Sequence, residues 1–177
     1  MILDAAADVF GERGYAAGGV DAIGARMGIS GAAIYRHFAR KQDILIALLD
    51  QAVSAALADL DTPTRSPADP VAQLARIVER MVSYATEKWT TLRLIHTEIT
   101  ELDERDRAQV KAIGERLMEP LLATMHAARP ALPADVAVFQ VRACFAVLGG
   151  LASRSPSALD HGMQAVTGRV LLAILMA

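Results

Sequence analysis

The sequence predicts an all-α protein of about nine helices, a small N-terminal three-helix unit followed by a larger helical bundle. Three observations lead there. Apolar residues recur at three- and four-residue spacing from one end of the chain to the other. No segment sustains the every-second-residue alternation of a strand. Two proline-containing stretches, "DTPTRSPADP" at 61–70 and "ARPALPAD" at 128–135, divide the helical pattern.

The elements follow in order. Ile2, Ala6, Val9 and Phe10 share one face of a first helix, and Gly14 supplies a glycine stop. Val20, Ile23 and Met27 line one side of a short second helix. Gly28 stands where a sharp turn needs a positive φ, and Gly24 where a crossing helix needs a small residue. Ile29 is placed to plug the core beneath the turn, and Ser30 reads as the N-cap of a helix over 31–38. Leu45, Leu48, Ala52, Ala56 and Leu60 define a long helix from Lys41. Beyond the first proline stretch come Val71 to Ala85, then Leu92, Ile95 and Ile99, then Val110 to Met125. The last two helices cover 136–153 and 163–177. The organisation is residues 1–46 as a helix-turn-helix unit and residues 47–177 as a second helical domain.

Bulk properties narrow the function. The chain has 177 residues, is 53% hydrophobic and carries a net charge of −2, so a core can form and any nucleic-acid surface must be local. A single cysteine, Cys144, excludes an internal disulfide framework and fits a reducing, cytoplasmic setting. The apolar run from Val136 to Ala152 is interrupted by Gln140 and Arg142, so no membrane span is expected. No metal site, cofactor or catalytic constellation is expected. Glu98, Glu101, Asp103 and Glu104 read as a helix-starting, solvated face.

Charge is concentrated in "MGISGAAIYRHFARKQDIL". Between Asp21 and Asp43 there is no acid, but there are Arg26, Arg36, Arg40 and Lys41, with His37. Phosphates attract such a patch. Ala32 and Ala33 give the helix a low front that approaches base edges and thymine methyls, Ser30 bonds a base edge or phosphate, and Arg36 reaches guanine or backbone. The plainer readings stay open here: an αα-corner, alanines chosen for helix propensity, and Tyr35 as a rim tyrosine.

The text "ILDAAADVFGERGY" followed by "VDAIGARMGISGAAIYRHFARKQDIL" resembles the DNA-binding domain of the TetR/AcrR family of transcriptional regulators, over residues 1–48. The resemblance implies that the helix over 31–38 is the recognition helix, that Tyr35, His37 and Lys41 contact phosphates, and that Phe38 packs the head's core. The DNA-facing set is then Ser30, Gly31, Ala32, Ala33, Tyr35, Arg36, His37 and Lys41. Two features depart from the family. Gly18 and Gly19 replace the usual Ser/Thr pair before the second helix, and no basic arm precedes the first; a truncated start is expected.

For the remainder, the resemblance implies an effector-binding bundle whose last two helices make a homodimer. Phe139, Val147, Leu151, Val170 and Leu171 give those helices a second apolar face, and Gly149 and Gly150 permit close helix approach. Tyr84, Trp89, Arg93, His96 and Arg142 are the candidate ligand contacts, polar or aromatic groups beside apolar faces. Arg142, the only charge between Val136 and Ser153, is expected to be buried and paired. The segment "TLRLIHTEITELDERDRAQV" is similar to members that sense lipid-derived thioesters or other large apolar molecules. The expected function is a ligand-responsive transcriptional regulator, a repressor released from a palindromic DNA operator by a small, largely apolar effector. The competing classes are an all-α enzyme and a helical interaction protein.

Overall fold

The computed structural model describes residues 1–60, 69–98, 102–154 and 161–177. Among them the secondary structure is helical throughout, in ten segments. The N-terminal part consists of α1 (Ile2–Ala17), α2 (Val20–Met27) and α3 (Gly31–Tyr35). The long α4 (Lys41–Leu60) leads out of it into α5 (Pro70–Glu87), α6 (Trp89–Glu98), α7 (Glu104–Glu115), α8 (Met118–Ala128), α9 (Ala134–Ala152) and α10 (His161–Met176). The first proline stretch lies outside the described residues over 61–68, as do Ile99 and Glu101.

Local chemistry explains the boundaries. Gly14 sits at φ 76°, ψ 161°, a conformation open to glycine, and bends α1 there. Gly28 closes α2 at φ 70°, ψ 24°, the left-handed cap. Ser30 caps α3, its Oγ accepting from Ala33 N at 3.3 Å. Asp69 caps α5 ahead of Pro70, accepting from Val71 N at 3.1 Å. The apolar run from Val110 to Met125, expected as one helix, is divided into α7 and α8. Leu117 N bonds Gly114 O in a tight turn, and Pro120, which lacks an N–H, fits the first turn of the new helix.

Two apolar cores form. The first joins Phe10, Ile23, Ile34, Ile44 and Leu45 with Leu94, Leu102, Val110 and Ile113, so α6 and α7 complete the head's interior. The second gathers Leu74, Val78, Leu121, Met125, Val141, Cys144, Leu171 and Leu175 from α5, α8, α9 and α10. The boundary expected at 46/47 falls inside α4, which runs unbroken from one core to the other. Ile29, expected as a core plug, is 39% exposed, because Ile23 and Ile34 already fill the interior beneath the turn.

Candidate nucleic-acid interface and effector cavity

Helix α3 crosses α2 at very short range. A side chain at Gly24 would meet Ile29 O at 2.7 Å and Gly31 N at 3.0 Å, so glycine is what lets the two helices touch. Gly31 is buried against Asp21, and any side chain there would collide with that carboxylate. Opposite, Ser30, Ala32, Tyr35, Arg36 and His37 are exposed, and Ala33 is half-buried. Phe38 packs on the head's core. The helix expected over 31–38 ends at Tyr35, and Arg36 and His37 occupy the turn that follows.

The cationic patch counted along the sequence is smaller in space. Arg26 pairs with Asp8 at 3.3 Å and Glu12 at 2.9 Å, both on α1. Arg40 is held by Asp43 at 2.7 Å and Asp106 at 2.9 Å. Those bonds raise its already high pKa further. Lys41 is half-buried; its Nζ lies 4.2 Å from the Tyr15 ring centroid and donates to the Tyr15 carbonyl. Burial lowers the Lys41 pKa, opposed in part by Glu98. Burial also pushes the Tyr15 hydroxyl up to about 12. Of the DNA-facing candidates, Gly31 faces inward because Asp21 abuts it, and Lys41 fastens the start of α4 to the end of α1.

A cavity of about 450 Å³ opens among α4, α5, α6, α7, α8 and α9. Leu49, Val53, Met81, Leu121, Phe145 and Leu148 give it apolar walls. Ala52 and Ala56, one turn apart on α4, leave the space that longer side chains would fill. Of the candidate ligand contacts, Tyr84, His96 and Arg142 line it. Tyr84 donates its hydroxyl to Ala52 O at 2.7 Å. His96 packs on α9 where Gly149 has no side chain; a Cβ there would lie 2.8 Å from His96 Nδ1. Gly149 thus serves a contact within the chain. Arg142, expected to be buried, is 59% exposed and reaches Glu115 at 3.9 Å, because α9 turns that position toward the cavity's rim.

Trp89 and Arg93 do not line the cavity. Trp89 packs against the second core, and the Arg93 guanidinium lies 5.3 Å from its ring centroid. Sequence reasoning missed the contribution of α7, whose Val110, Lys111, Gly114 and Glu115 form one wall. The signal was present in Gly114, a glycine within an otherwise helical run.

The last two helices leave an apolar surface uncovered. Val136 and Phe139 on α9 and Met163, Val166, Val170 and Met176 on α10 are exposed, Phe139 to 72%. Leu171, grouped with that face from the sequence, is buried in the second core. By length and composition α9 passes for a membrane span. It instead packs on α5, α6, α8 and α10.

Comparison with known proteins agrees with this geometry. Residues 2–48 match the family model for bacterial regulatory proteins of the tetR family. The chain is 31% identical over 115 residues to the HTH-type transcriptional activator FasR of Mycolicibacterium smegmatis; the match covers 65% of this chain and 52% of FasR, so it spans about half the length of that relative. Among solved structures, the TetR family regulator PfmR from Thermus thermophilus superposes with a TM-score of 0.72 at 26% identity, over 99% of this chain and 97% of PfmR. The fold is shared with FadR from Bacillus subtilis in complex with stearoyl-CoA, at 19% identity and a TM-score of 0.72, over 99% of this chain and 96% of FadR. Residues 2–48 are thus similar to the head of the bacterial regulatory proteins of the tetR family, and the all-helical fold over the described residues is the one seen in PfmR.

Proposed function

We propose that the chain is a homodimeric, effector-responsive regulator that reads a palindromic DNA operator through α3 and releases it when a largely apolar molecule fills the bundle cavity. One observation carries the reading: the solvent-facing side of α3 and the turn after it present Ser30, Ala32, Tyr35, Arg36 and His37 together, while the opposite side is fixed by Gly24, Gly31 and Ile34. The low alanine front admits the backbone to a major groove. Arg36 supplies a base or phosphate contact, and Tyr35, His37 and Ser30 supply phosphate contacts.

The exposed apolar surface of α9 and α10 is the dimer seam in this reading. A twofold axis there sets two copies of α3 roughly 34–36 Å apart, one turn of DNA. The effector site is the cavity, with Tyr84, His96 and Arg142 as polar anchors on apolar walls. Occupancy changes the spacing of the heads through α4, provided that the ligand binds the two arrangements with different affinity. The FadR complex makes stearoyl-CoA a suitable first probe.

The test is a mobility-shift titration with DNA from upstream of the coding region at several salt concentrations. Wild-type protein is expected to bind specifically and to lose affinity with stearoyl-CoA. Arg36→Ala is expected to weaken binding and to reduce the salt slope by about 1. Unchanged affinity and slope in Arg36→Ala would remove α3 from the interface.

A further inference from the structure

Arg40 stands in the turn between α3 and α4, and its guanidinium turns inward to the bundle. Nη1 donates to Asp106 Oδ2 at 3.0 Å and Nη2 to Asp106 Oδ1 at 2.9 Å, a two-bond fork between residues 66 apart in the chain. Nη2 also donates to Asp43 Oδ1 at 2.7 Å, and Asp103 lies 3.6 Å from Nη1. Asp106 is 1% exposed, and its main-chain N–H is held by the Asp103 carboxylate at 2.8 Å. The remaining contacts between head and bundle are largely apolar, through Leu94, Leu102, Val110 and Ile113. Apolar surfaces slide over one another at little cost; a guanidinium–carboxylate fork has one geometry.

The other end of the same helix forms the effector cavity. From Asp106, α7 rises about 12 Å to Gly114. Val110, Lys111, Gly114 and Glu115 are in the cavity wall. One short rigid element therefore holds the head at its N-terminal turn and meets the cavity contents along the rest of its length.

We propose that the Arg40–Asp106 fork is the device that couples the cavity to the DNA-facing helix: it locks the orientation of α2 and α3 against α7, and a ligand that displaces α7 opens it. The fork suits a switch because its intermediate positions are unfavourable. Arg40 is 42% exposed but Asp106 is 1% exposed, so parting them leaves the buried carboxylate without its guanidinium until α7 has moved far enough to admit water. The contact is formed or open, which is what a two-state transmission requires. This proposal rests on the effector-responsive reading above; Arg40 and Asp106 act as positioning residues and touch neither DNA nor ligand.

Hydrogen–deuterium exchange on the whole chain tests it, comparing wild type with Asp106→Asn and Arg40→Gln. If the fork couples the two regions, both variants exchange faster, by about tenfold or more, at residues 36–45 and also at the cavity-facing residues 110–115. Faster exchange confined to residues 40–43 and 103–107 in both variants would mark a local contact and overturn the proposal. The second readout is the factor by which stearoyl-CoA changes DNA affinity. It is expected to fall toward 1 in the variants while each binding event persists, whereas a purely structural role lowers the melting temperature and leaves that factor intact. Arg40→Gln also covers the case in which Asp106→Asn fails to fold. The exchange measurement uses neither DNA nor ligand. A wild-type protein indifferent to stearoyl-CoA would therefore count against that effector, and the exchange result would still decide the fork.

Discussion

Replacing Phe139 with alanine isolates the apolar face of α9 and α10. The ring is 72% exposed in the single chain and lies outside both buried clusters, so its loss costs the monomer little. If the face is the dimer seam, association buries most of that exposed area. A phenylalanine has about 150–250 Å² to bury, so the fraction available is roughly 110–180 Å², worth about 3–4 kcal/mol at ~25 cal/mol per Å². Alanine retains part of this, leaving about 2–3 kcal/mol lost per copy. A twofold interface counts the residue twice, for about 4–6 kcal/mol and roughly a thousandfold or greater rise in the dimer dissociation constant. Ordering costs on association make this an upper figure. Sedimentation equilibrium from nanomolar to micromolar concentration measures it, with helical circular dichroism and thermal unfolding as controls on the fold. A well-folded Phe139→Ala protein whose dissociation constant moves less than tenfold would place the seam elsewhere.

Other substitutions probe separate parts of the argument. Gly28→Ala forces a side chain into the left-handed region at φ 70°, and urea unfolding should show a loss of about 1 kcal/mol. Lys41→Met removes the tie to the Tyr15 carbonyl; it should lower the melting temperature and leave the salt slope of DNA binding nearly unchanged, the opposite of Arg36→Ala. Tyr84→Phe deletes the 2.7 Å bond to Ala52 O, for about 1 kcal/mol of stability by denaturant titration. Burial raises the Cys144 thiol from 9.0 to about 11. The folded state therefore favours the neutral thiol. Its contribution to stability is complete below pH 9.0 and declines as pH rises toward about 11, and the decline should flatten in Cys144→Ala. At pH 8 the native thiol should react with a disulfide reagent only as fast as the chain unfolds.

Much of the fold was legible because its signals are local. Gly28 declares a left-handed turn, Ser30 a cap, and the three- and four-residue apolar rhythm each long helix. The division between α7 and α8 was readable too, in Pro120, but the apolar spacing runs straight through it and masks the break. Interactions made across the fold carried no such signal. Nothing near Arg40 announces Asp106, and nothing near Arg26 announces Asp8 and Glu12. The candidate cavity residues divided for the same reason. Tyr84 and His96 face the cavity, whereas Trp89 turns into the second core with Arg93 against it, and periodicity alone does not distinguish two apolar sides of one helix.

The internal pairing of the head's charges bears on the DNA binding proposed above. Of the four cations between Asp21 and Asp43, Arg26 and Arg40 are neutralised by carboxylates and Lys41 is tied to a carbonyl, which leaves Arg36 as the strongest charge presented on the α3 side. An α3 side with so little free charge has a shallow electrostatic attraction for phosphate, because the sequence-independent part of affinity scales with the phosphates neutralised. Tight binding by one head is then not expected. On the dimer proposed above, two heads would turn the second encounter into an intramolecular one and raise avidity by orders of magnitude with no new contact. DNA affinity and dimer affinity should therefore fall together. Phe139→Asp, far from α3, should depress specific DNA binding more than Arg36→Ala does. A Phe139→Asp protein that is monomeric yet binds operator DNA as wild type does would show that one head suffices, and would overturn this account of the affinity.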